Sequence, residues 1–307
     1  MPCYHPMTAW RSQDKNASGK RSLIFTSNGA FGDALQIPCG KCIGCRLDRS
    51  PQWATRLQHE GQFYDKKCFI TLTYAPEHLP EGGSLQIRDL QLFFKRLRSA
   101  ITGRGSGAWT PPLAIPRRLR YLACGEYGDQ FLRPHYHAIL FGVDFTEDRR
   151  LYGMSRNGQH ERYTSERLTK IWGMGRSEIG SVTTSSTGYV ARYTMKKVYG
   201  ERAEEHYQGR KPEFLVCSQG IGLDWFLKYK DTDLYADMCV IKTAKGYSQV
   251  RVPAYYDKKQ PEEVITALKE KRKHSALSEP NNRPHRLPVR EECTMARVKS
   301  LKRGTPC

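Results

Sequence analysis

The chain has 307 residues, 38% of them hydrophobic, and Lys plus Arg outnumber Asp plus Glu by 50 to 31, which gives a formal charge of +19. This length allows one large domain or two modest ones, and the charge favours nucleic acid as partner over an anionic membrane or a surface charged only for solubility. No apolar run approaches the roughly 18 residues that span a bilayer and the N-terminal sequence lacks a signal-peptide core, so we expect a cytoplasmic protein with reduced cysteines.

A cysteine cluster opens the chain. Cys39, Cys42 and Cys45 follow a CxxCxxC pattern, and Cys3 or His5 can supply a fourth ligand if the N-terminus folds back. Thiolates at this spacing suit Zn²⁺ in a closed structural site, or an iron–sulfur cluster. The alternative is a set of incidental free thiols. We predict a Cys-rich segment over residues 1–45 that binds structural Zn²⁺, with the iron–sulfur cluster as second choice.

Strand-like and helix-like segments then alternate, which indicates an α/β or α+β domain. Ser50 and Pro51 suit the N-cap and first residue of a helix. The stretch CFITLTY (68–74) alternates as a strand does, and IRDLQLFFKRLRSAI has apolar residues at helical spacing. RLRYLACGEYG and HYHAILFG predict two strands of an antiparallel hairpin with its turn near Gln130.

The second half of the chain continues the alternation and then changes composition. SERLTKIW predicts a short helix, SEIGSVT a strand, and GYVARYTMKK a further helix. We place the core domain at 46–240. The C-terminal extension, 241–307, contains KEKRK, RPHR and VKSLKR, which predict a basic and mostly disordered tail.

Two histidines separated by a single residue are the first candidate for a functional site. Residues two apart on a strand face the same way, so His135 and His137 present both imidazoles to one point. Glu126 lies on the preceding strand, and the hairpin can bring it beside them as an oxygen ligand for Mg²⁺ or Mn²⁺. The alternative is a structural pair of histidines without a metal.

Two tyrosines are the second candidate. Tyr189 and Tyr193 stand at i and i+4 of the helix predicted for GYVARYTMKK, with Lys196 close by, while apolar residues occupy the opposite side. Packing of the two rings is the alternative explanation. In combination with the histidines the pattern is stronger, because a metal that polarises a phosphate and a phenol that attacks it form one reaction centre.

These motifs, in this order, resemble the HUH endonucleases, and more closely the rolling-circle replication initiators of microviruses of the gokushovirus kind. The resemblance rests on CYHP with PCGKCIGCR, FITLTY, GEYG with RPHYHAILFG, and YVARYTMKK. It implies an α+β fold with a central antiparallel sheet flanked by helices (HUH/Rep-type, RRM-like). It also implies His135, His137 and Glu126 as metal ligands and Tyr189 and Tyr193 as nucleophiles. SQGIG (218–222) departs from the expected pattern, which has a basic residue and a proline before GIG, and we assign it no role.

The resemblance implies nicking of single-stranded or supercoiled origin DNA, with a 5′-phosphotyrosine and a free 3′-OH as products. A host DNA polymerase and helicase would then be partners in the host cytoplasm, and Lys196 would stabilise the charge that develops during attack. Two tyrosines allow one to hold a 5′ end while the other cuts. The alternatives are a plasmid initiator, relaxase or transposase with the same chemistry, and a non-catalytic zinc-containing nucleic-acid-binding protein. The oligomeric state is open.

Overall fold

The computed structural model describes residues 3–17, 19–112, 118–128, 130–155, 158, 160–182, 187–188, 197–235, 237–243 and 246–300. Contacts group the chain into two compact units. One combines Met1–Asp48 with Thr266–Lys302, and the other consists mainly of Arg49–Ile265. The limits at residues 45 and 240 that the sequence suggested stay a prediction.

The described residues form strands and helices throughout. The strands are β1 (Met7–Lys15), β2 (Arg21–Ile24), β3 (Ala30–Ile37), β4 (Lys67–Tyr74), β5 (Arg120–Tyr127), β6 (Pro134–Phe141), β7 (Arg150–Met154), β8 (Glu161–Thr164), β9 (Gly175–Gly180), β10 (Phe214–Cys217), β11 (Leu234–Tyr235), β12 (Met238–Thr243) and β13 (Gly246–Arg251). The helices are α1 (Ile43–Gly61), α2 (Ile87–Ile101), α3 (Glu166–Trp172), α4 (Arg202–Tyr207), α5 (Leu223–Tyr229), α6 (Ala254–Asp257), α7 (Glu262–Ser278) and α8 (Leu287–Ser300). No helix in this part of the chain is both long and apolar enough to cross a membrane.

The first unit contains a three-stranded antiparallel sheet in the order β2-β1-β3, together with most of α7 and all of α8. These two helices differ from the mostly disordered tail that the composition predicted. Their side chains are largely exposed. Glu, Lys, Arg, Ala and Leu are strong helix formers, so a segment with little apolar surface to bury can still be helical.

The second unit is built on a large antiparallel sheet, which confirms the expected α+β class. Its strand order over the described residues is β10-β5-β6-β4-β9-β8-β7, and each neighbouring pair is antiparallel. The predicted hairpin is formed by β5 and β6, which both lie in the interior of the sheet. A smaller antiparallel sheet, β11-β12-β13, lies in the same unit.

One face of the large sheet packs against α2 and α3. The face carries Ile70, Leu72 and Tyr74 of β4, which are buried as the period-2 pattern predicted. The apolar residues of α2 at helical spacing are also buried in this core: Leu90, Phe93, Phe94, Leu97 and Ile101. Burial of each such side chain contributes roughly 1.5–3 kcal/mol, so this core fixes the position of the sheet.

The opposite face of the sheet carries a second, smaller core. Phe69 of β4 and Ile139 of β6 pack there with Leu57 of α1. α1 begins at Ile43 and contains Pro51, so the predicted helix start at Ser50 and Pro51 is wrong. An internal proline removes the hydrogen bond to the carbonyl four residues earlier and also crowds that carbonyl, and burial of the apolar side of α1, including Leu57, offsets this cost.

The SQGIG turn has a structural role between β10 and α5. Gly222 has φ +79°, and its N–H donates to the Glu60 carboxylate at 2.7 Å. A Cβ on Gly222 would lie 2.4 Å from Tyr256 Oη. Ile221 is fully buried, and its carbonyl accepts a hydrogen bond from Arg56 at 3.0 Å. The glycine is therefore required by close packing and by its left-handed backbone.

Candidate metal centre

Three side chains that could hold a metal ion meet on the face of the sheet that carries the smaller core. Glu126 of β5 and His135 of β6 are direct cross-strand neighbours in the hairpin. His137 lies two residues further along β6 and therefore faces the same side. The hairpin register brings together the two histidines and the glutamate that the sequence singled out.

One nitrogen of each imidazole lies close to the same carboxylate oxygen. His135 Nε2 lies 2.7 Å from Glu126 Oε1, and His137 Nε2 lies 3.1 Å from the same atom. The three ligand atoms all lie within 4.8 Å of one another. Ligands about 2.1 Å from one ion and at right angles are about 3 Å apart, so these separations fit a divalent cation.

Hydrogen bonds from outside the cluster orient both imidazoles. His135 Nδ1 donates to the Arg133 carbonyl at 3.1 Å, and His137 Nδ1 lies 3.0 Å from Thr71 Oγ1. Because each Nδ1 has an outer partner, each Nε2 is aimed at the cluster. Thr71 was not predicted from the sequence, although its position on the polar face of FITLTY, directly opposite His137, is the signal for it.

Burial and charge favour an ionised carboxylate at this point. Glu126 and His137 are each 2% exposed, and Phe69 stacks on His137 with ring centroids 5.3 Å apart. Burial alone would raise the pKa of the Glu126 carboxyl. The hydrogen bonds from His135 and His137 outweigh burial and hold that pKa well below its ordinary value. A metal cation bound at this point would therefore contact an ionised Glu126 carboxylate beside the imidazoles of His135 and His137.

An exposed cation and an aromatic ring extend this face toward the sheet edge. Thr73 pairs with His135 on one side and with Arg176 of β9 on the other, so Arg176 shares the face of the histidines. The Arg176 side chain is 53% exposed and forms an ion pair with Glu178 at 3.2 Å, and its guanidinium lies 4.5 Å from the ring centroid of Tyr152. Positive charge beside an aromatic ring is suited to an anionic polymer with flat bases.

The residues predicted as nucleophiles, Tyr189 and Tyr193, and the neighbouring Lys196 lie outside the described residues. Tyr207, further along the chain, is among the described residues. Tyr207 is 6% exposed and donates a hydrogen bond to Glu213, and burial together with that bond raises the pKa of its phenol. Tyr207 is therefore poorly suited to attack a phosphate.

The first unit holds the second cluster of potential ligands. The sulfur atoms of Cys3, Cys39, Cys42 and Cys45 all lie within 4.8 Å of one another. Cys42 Sγ is 3.9 Å from Cys3 Sγ. Backbone N–H groups point at the sulfurs: Cys39 donates to Cys3 Sγ at 3.2 Å, and Cys42 donates to Cys39 Sγ at 3.3 Å. Four converging thiols are the donor set of a structural zinc site.

The structure also distinguishes the two candidates for the fourth ligand. His5 Nε2 lies 2.6 Å from Glu291 Oε2 of α8, whereas Cys3 joins the other cysteines.

Burial of the Cys42 thiol opposes ionisation, but backbone hydrogen bonds from Cys45 and Tyr4 lower the pKa of this thiol to about 7. A thiolate is the form that binds a metal.

Comparison with known proteins places these features in a family. The model of the family "Replication-associated protein ORF2/G2P" matches residues 67–198, which include β4, β5 and β6. No solved structure matches.

Three curated relatives carry the same description. "Replication-associated protein VP4" of Bdellovibrio phage phiMH2K is 33% identical over 294 residues, covering 94% of this chain and 87% of that protein. "Replication-associated protein ORF2" of Spiroplasma virus 4 is 32% identical over 252 residues, covering 78% of this chain and 74% of that protein. "Replication-associated protein ORF4" of Chlamydia phage 1 is 30% identical over 199 residues, covering 64% of this chain and 47% of that protein. The chain therefore belongs to the family of microvirus replication-associated proteins.

Proposed function

We propose that the protein initiates rolling-circle replication by nicking one strand of origin DNA with a tyrosine nucleophile. The observation that carries the proposal is the convergence of His135 Nε2 and His137 Nε2 on one oxygen of Glu126, on the sheet face that also carries the half-exposed Arg176 of β9. This arrangement supports an HUH-type, RRM-like nuclease domain, which we assign to residues 46–240. Family membership supports a role in viral replication.

Glu126, His135 and His137 would hold Mg²⁺ or Mn²⁺. A bound divalent ion would neutralise charge on the non-bridging oxygens of the scissile phosphodiester and so make its phosphorus more electrophilic. Thr71 and the Arg133 carbonyl keep the two imidazoles in the orientation that binding requires. Mixed nitrogen and oxygen ligands leave the choice between the two metals to geometry and availability.

Tyr189 and Tyr193 are the proposed nucleophiles. The attacking phenol loses its proton and forms a bond to phosphorus, and the bond from phosphorus to the 3′ oxygen breaks. The departing 3′ oxygen takes up a proton, so the products are a 5′-phosphotyrosine and a free 3′-OH, and Lys196 stabilises the negative charge on the phosphoryl oxygens during the transfer. Because the phosphodiester energy is kept in the tyrosine link, the cut strand can later be rejoined. The second tyrosine can cut the regenerated origin while the first holds the displaced end.

The free 3′-OH would prime a host DNA polymerase in the host cytoplasm, with a host helicase separating the strands. The formal charge of +19 supports contact with the DNA backbone over an extended surface. Affinity for DNA would then depend mainly on Lys and Arg, while the metal centre would contribute to cleavage.

We also propose that Cys3, Cys39, Cys42 and Cys45 bind one structural Zn²⁺. The closed set of four sulfurs supports a structural rather than a catalytic zinc site, because a catalytic site keeps a position open for water or substrate. The N–H groups directed at the sulfurs support bound thiolates. Such a site would contribute folding energy to the first unit and take no part in cleavage.

A nicking assay tests the proposed reaction. His135→Ala and His137→Ala should each abolish Mn²⁺-dependent cleavage of supercoiled origin DNA, while the Kd for the same DNA stays within about twofold of wild type. Cleavage at the normal rate by either variant would refute the metal assignment. Absence of cleavage by the wild-type protein with Mn²⁺ and origin DNA would instead favour a non-catalytic DNA-binding protein.

A further inference from the structure

The tip of the β5–β6 hairpin carries an aromatic ring that packs against little of the protein. Phe131 is 87% exposed, which is more than any other large hydrophobic side chain among the described residues. The strands that meet at this tip are the same two that carry Glu126 and His135. An exposed aromatic ring on the hairpin that carries the candidate metal ligands has a free face on which a flat ligand can stack.

The backbone holds this tip in a defined conformation. The Gly128 N–H donates to the Arg133 carbonyl at 3.0 Å, and the Leu132 N–H donates to the Gly128 carbonyl at 3.0 Å. Leu132 has φ +47°, a left-handed conformation that costs free energy for a residue with a branched side chain. The Arg133 guanidinium donates to the Tyr74 carbonyl at 2.7 Å and ties the tip to β4. These bonds restrain the backbone of the described residues around Phe131, so little backbone entropy is lost when its ring binds a ligand.

The position along the chain limits how far the ring is from the metal ligands. Phe131 precedes His135 by four residues, so their Cα atoms are at most about 14 Å apart. Successive nucleotides of a stacked strand rise by about 3.4 Å. A ring at this position can therefore reach a base within about four nucleotides of a phosphate held at the histidines.

We propose that Phe131 is a stacking platform for one unpaired base of the DNA strand that enters the metal centre. The proposal rests on the proposed function. Base faces stack on aromatic rings regardless of sequence, whereas the bases of a duplex are already stacked on their neighbours. The neighbouring cation Arg133 and the formal charge of +19 favour a nucleic acid over an apolar protein partner. Phe131 thereby selects single-stranded DNA at the tip of the hairpin.

The test compares substitutions that differ in aromaticity. The full-length protein is titrated with fluorescently labelled dT20 and with a duplex of the same length. Phe131→Ala should raise the Kd for dT20 by about 5- to 150-fold, which is the usual effect of losing one stacked base. Phe131→Leu should raise the Kd for dT20 by a similar factor, and Phe131→Trp should keep the wild-type Kd. For all three variants the Kd for the duplex should change less than twofold. Tyr247→Ala, which removes another exposed aromatic side chain on β13, should leave the Kd for dT20 unchanged.

Fluorescence provides an independent readout. The Phe131→Trp variant has one tryptophan more than the five of the wild-type chain, and binding of dT20 should quench that additional emission. Equal affinity of Phe131→Ala and wild type for dT20 would overturn the proposal, as would equal losses in Phe131→Ala and Tyr247→Ala. Absence of the additional quenching would also contradict stacking. These outcomes concern DNA binding, so they are distinguishable from failure of the proposed function, which would appear as absence of Mn²⁺-dependent nicking by the wild-type protein.

Discussion

Replacing Thr71 by Val tests whether the hydroxyl beside His137 prepares the metal centre. The substitution keeps the branched shape of the side chain and removes the oxygen that lies 3.0 Å from His137 Nδ1. Partners of this kind typically contribute 10- to 100-fold to metal affinity, so the Kd for Mn²⁺ should rise by about that factor, equivalent to roughly 1.4–2.7 kcal/mol. The free energy of unfolding without metal should fall by about 1–3 kcal/mol, because His137 is buried.

Isothermal titration with Mn²⁺ measures the affinity, and urea denaturation in EDTA measures the stability. Thr73→Val is the matched control, since Thr73 lies on the same strand and the same face but opposite His135. It should change the Kd for Mn²⁺ less than twofold. A Kd for Thr71→Val equal to that of Thr73→Val would refute the inference that the hydroxyl orients His137.

Three further predictions concern other parts of the molecule. Cys42→Ser should release about one zinc per chain and lower the melting temperature, whereas His5→Ala should retain the zinc, as metal analysis of the purified proteins will show. Gly222→Ala should destabilise the protein by about 2–5 kcal/mol in urea denaturation, because its Cβ would lie 2.4 Å from Tyr256 Oη. Gly220→Ala, also at positive φ but with no contact closer than 3.6 Å, should cost about 1–2 kcal/mol. The folded-state pKa of Glu126 is lowered, so its stabilisation is present above the unfolded pKa of about 4.3 and is lost as pH falls. In EDTA the stability advantage of wild type over Glu126→Gln should therefore shrink from pH 5 to pH 3, and a constant difference would contradict this assignment.

The sequence predicted the parts of the fold in which local pattern and tertiary packing agree. β4 and α2 have clear periods of two and of 3.6 residues, and their apolar residues are buried on the expected faces. The β5–β6 hairpin follows from two apolar runs and a short turn. Because cross-strand register fixes which side chains face each other, the meeting of Glu126 with His135 could be predicted as well.

Other features depend on contacts between distant segments. The start of α1 was placed at Pro51 because proline favours the first turn, but a longer helix tolerates it internally. The choice of Cys3 over His5 required the position of Glu291, which is 286 residues away in sequence. The role of Gly222 likewise depends on Tyr256 and Glu60, which no local pattern connects. Exposure of Phe131 is visible only once the hairpin tip has been built.

The most direct test of the central claim is the identity of the residue that becomes covalently attached to DNA. Wild-type protein and its Tyr→Phe variants are incubated with origin DNA and Mn²⁺, and the trapped adduct is mapped by peptide mass spectrometry. Phe differs from Tyr by one oxygen, so a loss of adduct formation can be assigned to the missing nucleophile rather than to misfolding. Tyr189→Phe and Tyr193→Phe should each still form an adduct but release closed circles poorly, and the double variant should form none while binding DNA normally. An adduct in the double variant, or one that maps to Tyr199 or Tyr207, would contradict the account.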